Sequence, residues 1–155
     1  GPAAAAADWY ALVLELSPDC ADARAAIAAA ALDAGDHATV VTETSRVLKV
    51  SPGHLQALLL RGRAYYALGD VAAAKTLLQE GLRRDPEHAE LKAAYRIAKD
   101  FEKKSSKAEA AASTGDWAAA SAAYDAALSV SPLPEGRGVE LRAGLCAALA
   151  RHNAE

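Results

Sequence analysis

The chain has 155 residues, 52% of them apolar, with 17 basic and 20 acidic side chains and a formal net charge of −3. The two signs are mixed along its length, which argues against nucleic acid or an anionic membrane as the main partner. No apolar run reaches the roughly 20 residues that span a bilayer. Gly1-Pro2 reads as a protease-cleavage scar, and with no methionine anywhere it predicts a chain cut from a longer one.

Alanine is abundant and favours helix throughout. Ala3 to Leu16 reads as one helix, with Ala6, Tyr10 and Val13 at helical spacing, the second member of a pair whose first is missing. Ser17-Pro18 is expected to open the next helix, because proline suits the first helical position. Residues 21–54 then form a helix pair, Ala21–Ala34 and His37–Val50, broken at Gly35-Asp36. Ala28, Val40 and Val47 take small or medium packing positions, and Thr44 stands where a bulky residue is wanted, predicting a thinner interface.

Residues 55–88 form the best-patterned pair. Leu58, Gly62 and Tyr65 share one face of its first helix, and Ala74, Leu78 and Gly81 continue the stripe on the second. Gly69 supplies a left-handed helix end and Asp70 a cap for the next start. The small residues Gly62, Ala74 and Gly81 are expected to let the helix backbones approach closely. Asp85-Pro86 is expected to open a third helix.

From Glu87 to about Thr114 neither glycine nor proline occurs, which predicts one helix of about 28 residues, about 42 Å long. Its second half begins another pair, 101–134, completed by Asp116–Val130 with Trp117, Ala120, Tyr124 and Ala127 inward. In its first half Leu91, Ala94, Tyr95 and Ala98 form a stripe that covers the helix at 71–84. The long helix is thus expected to be a lid on one sub-array and a rigid strut to the next. The charged run Lys99–Lys107 has two readings, a basic docking patch or the solvated middle of a long exposed helix. The second is preferred, because Asp100 and Glu102 interrupt the positive charge and no aromatic side chains are interleaved for bases. Pro132, Pro134, Gly136 and Gly138 make a connector to a last helix, 137–152, with Leu141, Gly144, Leu145 and Ala148 apolar.

The period ties these pieces together. Pro18, Pro52 and Pro86 are 34 residues apart, as are Gly35 and Gly69. The next equivalents, Pro132 and Gly115, follow after 46, one repeat plus an insertion of 12. A 34-residue helix–turn–helix with these turns resembles a tetratricopeptide repeat, or TPR. The resemblance implies an all-α solenoid, a right-handed superhelix of about eight antiparallel helices, with one long helix (87–114) joining two sub-arrays.

The TPR pattern also implies which residues face the concave groove: Asp22, Ala25, Ala29, Leu32 and Asp33, then Gln56, Leu59, Arg63 and Tyr66, then Glu102, Ser105, Glu109 and Ala112. Modules that clamp an acidic chaperone terminus carry Lys and Asn at the equivalents of Ala25 and Ala29, and those charge-assisted donors are missing. Ala25, Ala29, Leu32, Leu59, Arg63 and Tyr66 are therefore the candidate contacts for extended or apolar polypeptide; the alternative, weighed equally, is that such side chains only pack against adjacent helices. No catalytic or metal-binding motif stands out, and no cofactor is expected. His54 and His88 fall at the same repeat position, which points to a structural cause. Cys20 reads as a turn residue and Cys146 as a small core residue.

The run from Gly81 to Leu128 carries a narrower resemblance. Its Asp85–His88 cap, long helix and Ser106–Glu109 stretch resemble the TPR array of the DnaJ-type protein-kinase-inhibitor co-chaperones of the endoplasmic reticulum. Gly144-Leu145-Cys146 is similar to the plant and algal members. That resemblance implies a non-enzymatic, lumenal module that binds or positions unfolded polypeptide and meets Hsp70 indirectly, through a J domain outside this sequence. The alternatives are a cytoplasmic location and a TPR scaffold that organises a protein complex without chaperone activity. Half-pairs at both ends predict end-to-end self-association.

Overall fold

The computed structural model describes residues 2–154; Gly1, half of the dipeptide read as a cleavage scar, lies outside the described residues. Eight helices and no strand occur among the described residues: α1 (Pro2–Leu16), α2 (Ala21–Asp33), α3 (His37–Val50), α4 (Leu55–Leu68), α5 (Val71–Arg84), α6 (Ala89–Ser113), α7 (Trp117–Leu128) and α8 (Glu135–His152). They pair as antiparallel neighbours in chain order, each packed on the next.

The starts and stops follow the local sequence. Gly35, Gly69 and Gly115 each adopt a positive φ (76°, 94° and 78°) at the break inside a pair, a conformation that costs other residues steric strain. The aspartates that follow cap the next helix: Asp36 accepts from the Thr39 N–H at 3.1 Å, Asp70 from Ala73 at 3.0 Å and Asp116 from Ala119 at 3.0 Å. The Thr39 hydroxyl also donates to Asp36, and these bonds hold that carboxyl below its usual range. Asp70→Ala is expected to cost about 1 kcal/mol, read as a lowered thermal midpoint by circular dichroism.

Between pairs the structure corrects the expected starts. Ser17-Pro18 and Asp85-Pro86 lie in turns, and the helices begin after Cys20 and His88. Cys20 makes no side-chain cap, whereas the His54 and His88 rings do, each Nδ1 accepting from the N–H three residues on, at 3.2 and 3.3 Å. That is the structural cause shared by the two histidines. The long helix consequently runs Ala89–Ser113, 25 residues, shorter than the 87–114 expected but unbroken. The last helix starts at Glu135, ahead of the expected 137.

Three departures from the simple packing pattern have clear physical grounds. Thr44 is fully buried, and its hydroxyl is satisfied by the Val40 carbonyl one turn back, at 2.6 Å. Arg61 donates to the Val41 carbonyl of α3 at 2.8 Å and stacks its guanidinium over Tyr65. The small residues receive side chains from the neighbouring helix as well as shortening backbone distances. A Cβ on Gly62 would fall 2.8 Å from Leu78, and one on Gly81 2.8 Å from Leu91.

Of the stripe on α6, Leu91 is buried with Leu59 and Leu78, Ala94 and Tyr95 pack against them, and Ala98 belongs to a different core cluster. The expected strut is another matter. Tyr66, Val71 and Ala74 share one core cluster with Ala98, Phe101, Ala120, Tyr124 and Leu141, so the two sub-arrays are fused by apolar contact rather than held apart. No helix of the described residues is long and apolar enough to cross a membrane.

Candidate functional site

The expected groove positions centre on α4, which touches α2, α3, α5, α6 and α8. With neighbours on so many sides, seven of its residues are buried. Leu59 is fully buried against Leu78 and Leu91 and offers no surface, contrary to its expected groove position. Ala25, 4% exposed, is likewise interior. Ala29 and Leu32 are half-buried beside the Ala28, Val40, Leu60 and Ala64 cluster. Arg63 is partly exposed and pairs with Glu90 at 3.1 Å.

Tyr66, also expected in the groove, is covered by the chain's own connector. Its hydroxyl donates to the Pro132 carbonyl at 2.7 Å, and its ring meets Phe101 edge-on at 6.0 Å. Burial pushes its pKa up to about 12, with the nearby Asp100 carboxylate adding to the shift. A phenol whose pKa is raised on folding stabilises the fold fully below its ordinary pKa near 10 and loses that contribution as pH rises to about 12. We expect alkaline unfolding in that window, with one late-titrating phenol in the 295 nm absorbance that Tyr66→Phe removes.

The connector is seated by close packing. Gly136 lies on the end of α4, where a Cβ would fall 2.0 Å from the Leu68 carbonyl oxygen. Arg137 then reaches Glu109 on α6 at 2.9 Å and Glu140 on its own helix at 2.9 Å, with its guanidinium over the Phe101 ring. Sequence reasoning missed Arg137; the available signal was its position between Gly136 and Gly138 in a segment read only as a connector. The third set of groove positions is taken up here too. Glu109 holds Arg137, Glu102 pairs with Lys75 of α5, and Ser105 is buried.

What stays open is a cavity of about 260 Å³ between α2, α4, α6 and the connector. Leu32, Tyr66, Ala67, Ile97, Pro132 and Leu133 make it apolar, and Arg63 and Glu135 are its charged members. It therefore brings together Leu32, Arg63 and Tyr66 of the six candidates, and leaves Ala25, Ala29 and Leu59 outside. The ring of His37, at the start of α3, comes within 4.0 Å of Glu135. Cys146 is exposed, not the core residue expected, because α8 turns Leu141 and Ala148 inward instead. No group of three or more His, Cys, Asp or Glu side chains among the described residues is placed to hold a metal ion.

A tetratricopeptide-repeat family model matches residues 31–97. This chain has the TPR solenoid fold. Over 140 residues it is 44% identical to the DnaJ protein P58IPK homolog A of rice, which covers 90% of this chain and 29% of that protein. The Arabidopsis thaliana P58IPK homolog is 39% identical over 135 residues, covering 87% of this chain and 28% of that one. The crystal structure of a P58(IPK) TPR domain superposes with a TM-score of 0.80 at 20% identity, over 98% of this chain and 42% of the other. That likeness shows a shared TPR solenoid. The homologues of this TPR array are thus P58IPK-type DnaJ proteins, and the array spans less than a third of the length of those plant relatives. It is a protein-interaction module of the TPR kind.

Proposed function

We propose that this TPR array holds or positions unfolded polypeptide as part of an Hsp70 co-chaperone. The apolar cavity beside Tyr66 carries the reading: about 260 Å³ takes one large apolar side chain of an extended segment, and Arg63 and Glu135 are placed to engage its backbone. The kinship with DnaJ proteins supports a J domain elsewhere in the parent chain as the route to Hsp70, and a location in the lumen of the endoplasmic reticulum. The role is non-enzymatic.

Light scattering from a chemically denatured client tests it. The chain is expected to suppress aggregation at several-fold molar excess, and Ala67→Glu, which puts a carboxylate in the cavity, is expected to weaken suppression without loss of helix. No suppression by the unsubstituted chain would leave the second reading, a scaffold without chaperone activity. That reading is favoured by the connector's seat over Tyr66, which narrows the groove.

End-to-end self-association is part of the same proposal. Trp9 and Leu16 on α1 are 63% and 82% exposed, and Val139 on α8 is 78% exposed. Light scattering should show a mass that rises with concentration; a monomer mass at micromolar concentration removes the idea.

A further inference from the structure

A second surface lies along α6, on the side opposite Leu91, Ala98 and Glu102, the residues that meet α5. There a trough of about 390 Å³ is floored by Ala119, Ala122 and Ala126 of α7 and walled by Lys103, Lys104 and Lys107 of α6. It continues past Asp100 and Lys104 into a second hollow of about 380 Å³ beside Arg96 and Ser129. The trough is distinct from the cavity at Tyr66, although Ile97 borders both that cavity and the second hollow.

The 12-residue insertion explains why this face is bare. Each helical residue turns the chain ~100°, so the insertion adds three turns and roughly 120° of rotation about α6. In an uninterrupted array, the second helix of the preceding pair would lie across this flank of α6 and α7. Here α5 packs on the Leu91–Ala98 face, and the trough above the alanines stays open.

Cations outnumber carboxylates along the trough and the second hollow, with Arg96, Lys103, Lys104 and Lys107 against Asp100. Lys104 pairs with Asp100 at 2.8 Å, while Arg96, Lys103 and Lys107 have no carboxylate within ion-pair distance among the described residues. This happens in a chain whose net charge is −3. The lining residues of both hollows include no aromatic side chain on which a nucleic-acid base could stack.

We propose that this trough docks an acidic amphipathic helix of a partner protein, about three turns long, in the place that a repeat helix would fill. Its apolar side rests on Ala119, Ala122 and Ala126, whose small side chains allow helix axes to come within about 8–10 Å. Its carboxylates, spaced three and four residues apart, meet Lys103, Lys107 and Arg96.

The test uses the 155-residue chain and a fluorescein-labelled helical peptide with glutamates flanking an apolar stripe, read by anisotropy. Binding to the unsubstituted chain is expected, weakened at least about tenfold in the Lys103→Glu/Lys107→Glu variant. The same peptide with lysines in place of glutamates should bind that variant better than the unsubstituted chain. Circular dichroism establishes that the variant is folded, and Ala122→Arg, which blocks the floor without removing a cation, should also weaken binding. Absence of binding, equal binding to both chains, or displacement of the peptide by a single-stranded RNA oligonucleotide with higher affinity would overturn the proposal.

Discussion

Gly136→Ala is expected to destabilise the chain by about 2–3 kcal/mol, although alanine is the better helix former. The added Cβ would lie 2.0 Å from the Leu68 carbonyl oxygen and 2.5 Å from its carbon. Those are backbone atoms at the end of α4, so no side-chain rotation can relieve the contact. The connector must lift, and the Tyr66 hydrogen bond to Pro132 goes with it. Two measurements follow: a lower urea midpoint, and a Tyr66 phenol that titrates closer to 10. Gly138→Ala is the control. Its Cβ would meet only the flexible Arg142 guanidinium, at 3.1 Å, and stability should stay level or rise by up to about 1 kcal/mol. Equal effects at the two glycines would mean that the connector is not seated on α4.

Phe101→Ala is expected to cost about 3–5 kcal/mol, the usual range for emptying a fully buried phenylalanine site. Phe101 is 0% exposed, with Tyr66 edge-on at one side and the Arg137 guanidinium over its ring. These partners belong to α4 and α8, so the ring links the two sub-arrays at the middle of the long helix. Its loss should lower the urea midpoint and also split the transition, since each sub-array then unfolds on its own. A single transition with a loss under about 1 kcal/mol would show that the sub-arrays do not depend on this ring.

The readings that succeeded were local ones. Gly-Asp pairs at 35–36, 69–70 and 115–116 end one helix and cap the next within four residues, so they are legible in any tertiary setting. The unbroken α6 follows from the lack of glycine and proline across it. Even the matched histidines declared a shared cause, although their role as caps required coordinates. The candidate site was less legible. Periodicity says which side of a helix is apolar, and it cannot say whether that side faces an open groove or another helix. Leu59 and Ala25 failed as surface residues for that reason: Leu59 is closed in by Leu78 of α5 and Leu91 of α6, and Ala25 is interior on α2.

By itself the sequence determined the helices, their caps, the 34-residue period and the insertion of 12 that breaks it, all consequences of turn chemistry and helical repeat acting over a few residues. Only the tertiary structure decided that the connector folds back onto α4, buries Tyr66 under Pro132 and makes Arg137 a bridge between sub-arrays. Those contacts join residues as many as 66 apart in sequence. They depend on how far the insertion rotates the second sub-array about α6, and on whether a glycine happens to meet a backbone there. Such shape matching is set by the whole packed assembly, and no local pattern encodes it.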